Sequence, residues 1–146
     1  MNNRIDITAL EPAAYKAMYA LEVTLQHSSL TKIQKELIKI RASQINGCAF
    51  CLDMHTKDAL KYGETQQRIF LLNAWRETTL YTEEERVILQ MTEEVTLVHQ
   101  HGLSDETYAK AKQLFTDNQI AQILLSIATI NTWNRLAIST NKPIGE

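Results

Sequence analysis

Apolar residues recur along most of this chain at spacings of three and four, the period of one face of an α-helix. Between Pro12 and about His27 the stripe is Tyr15, Met18, Tyr19 and Val23, and Pro12 suits a first helical turn. A second stripe, Ile33, Leu37, Ile40 and Gln44 or Ile45, runs from Thr31 to about Asn46, with Thr31 and Gln34 spaced as a capping box. Gly47 offers a break. A third helix is predicted from Cys48 to Tyr62, stopped by Gly63. A short helix follows over about Gln66 to Trp75. Thr82 and Glu85 form another capping box, opening a helix to about Gln100 with Val87, Ile88, Met91, Val95 and Val98 on its inner side, before Gly102. Ser104 caps a helix to about Phe115, and Asp105 and Glu106 in its first turn favour the helix dipole. The last helix, about Asn118 to Thr140, turns Ile120, Ile123, Leu124, Ile127 and Ile130 inward, with Pro143 beyond it. No stretch sustains period-two alternation between turn signals. The pattern predicts an all-α fold.

Composition narrows the class. The 146 residues suit one domain, 1–146, with a true hydrophobic core, and I/L/V-type and other apolar residues make up 45%. The net charge is −2 and the basic residues are dispersed, so nucleic acid is not an expected partner. No apolar run approaches the roughly 20 residues that span a bilayer, so no membrane partner is expected. The first residues, Met1-Asn2-Asn3-Arg4-Ile5-Asp6, lack the apolar stretch of a secretory leader, and the expected compartment is the cytoplasm. Thiols there are kept reduced, so a close pair of cysteines points to catalysis or metal binding rather than a structural staple.

The two cysteines of the chain are Cys48 and Cys51, and His55 follows. On a helix, Cys48 and Cys51 are i and i+3, and Cys51 and His55 are i and i+4, so all three share one stripe. Cys48 falls at the helix start after Asn46-Gly47, where free N–H groups favour a thiolate. Lowering a thiol pKa from about 8.5 to about 6.5 raises the thiolate fraction at pH 7 roughly 25-fold. Weaker intrinsic nucleophilicity returns about 8-fold of that, leaving a gain of only about threefold. Such a site also needs a proton delivered to the leaving atom, and His55 is placed for it. Glu36 lies about 15 Å before Asn46 along the second helix, and His55 about 10 Å into the third. A helical hairpin around Gly47 therefore brings Glu36 and His55 to similar depth, where a carboxylate would orient the imidazole.

Other readings of these residues stand beside that one. The cysteines are also compatible with small buried residues, and Glu36 with a solvated surface charge. A zinc site needs four ligands, and only Cys48, Cys51 and His55 are local; His27, His99 and His101 are remote. Trp75, Trp133 and the tyrosines read as core or interface packing. His99 and His101 read as solvent-exposed near a helix end. No nucleotide-binding motif is present, so no cofactor is expected and electrons would come from another protein or a small thiol.

The stretch from Glu36-Leu37 through Arg41-Ala42-Ser43-Gln44-Ile45-Asn46-Gly47-Cys48-Ala49-Phe50-Cys51 to His55-Thr56-Lys57-Asp58-Ala59 resembles the core signature of the AhpD-like alkylhydroperoxidases. These form part of the carboxymuconolactone decarboxylase superfamily. Ala74-Trp75-Arg76-Glu77, Thr82-Glu83-Glu84-Glu85-Arg86 and Asn131-Thr132-Trp133-Asn134-Arg135-Leu136 extend the resemblance to the C-terminus. It implies an all-helical domain assembled as a homo-oligomer, a trimer or hexamer. It implies a thiol peroxidase or disulfide oxidoreductase acting on organic hydroperoxides. In it Cys51 attacks the peroxide, Cys48 resolves the product as a disulfide, and Glu36 and His55 relay the proton. The reductant would be a lipoyl-bearing protein or another dithiol. Helix-end reasoning alone favours Cys48 as the more acidic thiol. Some members carry a further histidine between the cysteines, where this chain has Phe50. Two other functions remain as alternatives: a decarboxylase-like lyase, whose relatives generally lack the CxxC, and a non-enzymatic redox-sensing oligomer.

Overall fold

The computed structural model describes residues 4–145; residues 1–3, part of the segment read for a leader, and residue 146 lie outside it. Eight α-helices and two 3-10 segments are present among these residues, with no strand. The helices are α1 (Ile7–Leu10), α2 (Pro12–Gln26), α3 (Lys32–Asn46), α4 (Ala49–Lys61), α5 (Gln66–Phe70), α6 (Glu83–Thr96), α7 (Asp105–Leu114) and α8 (Asp117–Ser139). The all-α expectation holds. No helix among the described residues is long and apolar enough to cross a membrane.

The local signals explain where the helices start. Thr31 and Gln34 close a reciprocal capping box at α3, and Thr82 and Glu85 another at α6. Ser104 accepts from Thr107 N–H at the head of α7. A third capping box, Thr116 with Gln119, opens α8 and was not anticipated. Gly47 ends α3 at φ 71°, a left-handed conformation that suits glycine.

α3 is the central helix, packed against α4, α6 and α8. Its two inner faces are apolar. Ile38 and Ala42 join Ile88, Met91, Ile123 and Ile127 in one cluster. Leu37 and Ile40 join Ala59, Leu72, Trp75 and Leu89 in the other. Each fully buried Leu or Ile contributes about 1.5–3 kcal/mol relative to exposure, so α3 and everything it carries is held from both sides.

Two expectations need correction. The helix expected over Gln66 to Trp75 stops at Phe70 and continues as a 3-10 segment, Leu72–Glu77. Ile69, Leu72 and Trp75 are all buried, and the three-residue turn of the 3-10 segment sets Leu72 and Trp75 in line. The helix expected to reach Gln100 ends at Thr96, and Val98, expected inside, is 64% exposed on a short 3-10 turn (Val98–Gln100). The β-branched run Val95, Thr96 and Val98 weakens the helix there, and His101 and Gly102 then take positive φ. The α2 stripe is present but is not part of the core. Leu25 is the helix's buried residue, while Tyr15, Met18 and Val23 are half-buried and Tyr19 is exposed. That face lines a cavity instead, with Tyr15 and Tyr19 in its wall.

Candidate functional site

The α3–Gly47–α4 hairpin sets the geometry of the site. Cys48 is the N-cap of α4, and its Sγ accepts from the Cys51 N–H at 3.3 Å. The helix-start environment expected for Cys48 is therefore present. Cys48 and Cys51 are joined as a disulfide, with Cα atoms 5.3 Å apart. Both are buried and pack on Ala137 of α8 and on Phe50. Their surroundings differ in one respect: Cys51, and not Cys48, lines a cavity of ≈650 Å³ between α2, α4 and the end of α8.

His55 lies one turn beyond Cys51 and lines the same cavity. Its Nδ1 is 3.1 Å from Glu36 Oε2 across the hairpin. Glu36 is 4% exposed, so the solvated surface reading is corrected: α3 buries this carboxylate behind the histidine. An ionised carboxylate only accepts hydrogen bonds, so it fixes the proton on Nδ1 and leaves Nε2 with a free lone pair.

The structure adds residues that sequence reasoning missed. Lys39 Nζ lies 3.3 Å from Glu36 Oε1 and 3.1 Å from Glu22 Oε1. Trp133 Nε1 donates to Glu22 Oε2 at 3.2 Å. A polar chain thus runs His55–Glu36–Lys39–Glu22–Trp133, from α4 through α3 to α2 and α8. Burial disfavours the Lys39 ammonium, but Glu36 and Glu22 outweigh it and raise its pKa. The i,i+3 spacing of Glu36 and Lys39 was the available signal; Glu22 had none. Asp58 also approaches, and Glu36, His55 and Asp58 offer ligand atoms within 4.8 Å of one another. That trio has the donor chemistry for a divalent cation, but the Lys39 ammonium on Glu36 opposes a second positive charge there.

Two networks fasten the hairpin. Glu93 of α6 takes Arg41 Nε at 2.9 Å, Trp75 Nε1 at 2.9 Å and an Arg76 guanidinium nitrogen at 2.7 Å. Burial pushes its carboxyl pKa up, but the hydrogen bonds from Trp75, Arg41 and Arg76 prevail and hold it below the usual range. At the end of α3, Asn46 Nδ2 donates to Asn131 Oδ1 and Asn134 Oδ1, both at 2.9 Å. Asn134, fully buried, donates to Ser43 Oγ at 2.9 Å. These bonds lock the residues just before the cysteines onto α8. His99 and His101 are exposed, as expected.

The sequence profile of the carboxymuconolactone decarboxylase family matches residues 12–94. The uncharacterized protein YdfG of Bacillus subtilis is 42% identical over 139 residues, 95% of each chain. A crystal structure from Agrobacterium tumefaciens, of a protein of unknown function named as a candidate antioxidant defence protein AhpD, superposes with TM-score 0.95 at 40% identity over 99% of both chains. The debrominase Bmp8 shares the fold alone, at TM-score 0.84 and 17% identity over 94% of this chain and 74% of its own. Arg41, Trp75, Asn131 and Asn134, which lie in the stretches that carry the sequence resemblance, build the two fastening networks. The chain belongs to the carboxymuconolactone decarboxylase family, in its AhpD-like branch.

Proposed function

We propose that this protein is a thiol-dependent hydroperoxide reductase in which Cys51 attacks, Cys48 resolves, and His55 with Glu36 moves the proton. One observation carries the reading. Cys51 opens on the cavity one helical turn from an imidazole whose Nδ1 is held by a buried carboxylate.

The steps balance as follows. His55 Nε2 takes the Cys51 proton, and the thiolate attacks the distal oxygen of ROOH. An S–O bond forms and the O–O bond breaks. The imidazolium returns its proton to the alkoxide, which leaves as ROH, and Cys51 becomes a sulfenic acid. The Cys48 thiol then attacks the Cys51 sulfur; an S–S bond forms, the S–O bond breaks, and water leaves with the thiol proton. The peroxide is reduced by two electrons and the two thiols are oxidised to a disulfide. A dithiol, free or carried on a lipoyl protein, returns the pair to the reduced state.

Cys48 serves as resolver in this scheme because its Sγ already sits at the α4 N-terminus within reach of Cys51. Helix-end acidity favours Cys48 and access to the cavity favours Cys51; the proposal follows access, since thiolate character alone is worth only about threefold. Phe50 supplies an apolar wall beside the attacking sulfur.

The test is to mix reduced protein with a modest excess of cumene hydroperoxide. Two thiols per chain should disappear and a Cys48–Cys51 disulfide should form. An unchanged thiol titre would overturn the proposal.

A further inference from the structure

The cavity at Cys51 is far larger than hydrogen peroxide requires: ≈650 Å³, against about 30 Å³ for a water molecule in the liquid. Its walls are aromatic where α2 meets α8. Tyr15 stacks edge-on against Trp133, with ring centroids 5.6 Å apart, and Tyr19 and Phe50 complete that lining. An aromatic or apolar body therefore fits beside the sulfur.

Charge is distributed unevenly along this cavity. Its acids are engaged or remote. Glu22 holds Lys39 and Trp133. Asp6 Oδ1 caps α1 through Thr8 N and Ala9 N. Asp58 sits with Glu36 and His55, and it lies eight residues from Phe50, about 12 Å along α4. Two cations stand by the end of α8 and Phe50. Lys142 Nζ stands 4.5 Å from the Phe50 ring centroid. Arg4 donates to the Ser139 carbonyl at 3.0 Å, using one of its five N–H donors. Both line the cavity. Among the described residues neither forms an ion pair with a carboxylate.

We infer that the substrate is a hydroperoxide carrying a carboxylate, bound with the carboxylate at Lys142 and Arg4 and the peroxide at Cys51. The inference rests on the peroxidase reading above and names its substrate class. Phe50 and Cys51 are adjacent on α4 and both line the cavity, so the cation over Phe50 and the sulfur belong to neighbouring parts of its wall. The cavity end holding Asp58 would repel the reverse orientation. The cation over Phe50 thus selects the substrate and also sets which end of it meets the thiol.

The experiment uses the full chain, reduced, with dithiothreitol as donor and a matched pair of probes: cumene hydroperoxide and its para-carboxylate. At low ionic strength kcat/KM is expected to favour the carboxylate about tenfold, as a charge-assisted contact at a partly open site does. The double variant Arg4→Met, Lys142→Met should bring the ratio towards one. A ratio near one in the unaltered protein, or a preference that persists in the double variant, would overturn the inference while leaving the peroxidase reading intact. If neither probe is reduced, the peroxidase reading fails. Calorimetric titration with the two corresponding alcohols then decides the inference by binding alone. Binding of the carboxylated alcohol about tenfold tighter, lost in the double variant, supports it; equal binding or none overturns it.

Discussion

His55 Nδ1 lies 3.1 Å from Glu36 Oε2, although the two residues are separated by nineteen positions and belong to different helices. The carboxylate orients the ring, and in the proposed reaction Nε2 is the nitrogen that accepts the Cys51 proton. Replacing His55 with Asn should lower kcat/KM for hydroperoxide by about 10²–10⁴-fold, the range for loss of a positioned general base. Glu36→Gln should lose less, because an amide keeps the contact but not the charge. Stopped-flow thiol oxidation of the two variants checks the order.

The cavity borders Cys51 and not Cys48. Cys51→Ser should therefore abolish peroxide-dependent thiol oxidation. Cys48→Ser should still react once and accumulate a sulfenic acid that dimedone traps, seen as a mass increase on Cys51. The reverse pattern would exchange the two roles.

Glu93 binds Arg41, Trp75 and Arg76 together, and its carboxyl pKa is held low in the folded state. A depressed folded pKa stabilises the protein fully above the unfolded value, about 4.3 for glutamate, and that share is lost as pH falls through the folded value. Glu93→Gln should cost about 3 kcal/mol at neutral pH, because it leaves two guanidinium groups without their carboxylate. The difference in melting temperature between variant and parent should narrow as pH is lowered from about 6 towards 3. Thermal unfolding at stepped pH measures it.

Asn134 is fully buried and bridges Asn46 and Ser43, so it ties the residues before the cysteines to α8. Asn134→Ala should destabilise by about 3 kcal/mol, combining a cavity with polar groups left unpaired. Urea unfolding gives the stability change. The rate of Cys48–Cys51 disulfide formation should also fall, since Ser43 and Asn46 lie within the turn that sets Cys48.

Much of the architecture was legible without coordinates, and the reason is locality. Capping boxes at Thr31 and Thr82 need only a hydroxyl and an amide or carboxylate three residues on. The stripe Ile120, Ile123, Ile127 and Ile130 needs only helical period. Cys51 and His55 fall on one face for the same reason. Reading failed where the deciding contact was distant. The Gln66 to Trp75 segment looked helical by composition, yet the burial of Ile69, Leu72 and Trp75 drew it into a 3-10 path. The α2 stripe was legible, but not that it walls a cavity, because what a face meets depends on the helix opposite.

The sequence by itself determined an all-α chain with a CxxC at a helix start, a histidine on its stripe and a glutamate at matching depth across a hairpin. These follow from bond geometry and period within a few turns of chain. Only the tertiary structure decided that Glu36 is buried against Lys39, that Lys39 reaches Glu22, and that Cys51 rather than Cys48 faces the cavity. It also decided that Lys142 stands over Phe50. These contacts join α2, α3, α4 and the end of α8, so they exist only once packing has fixed how those elements meet.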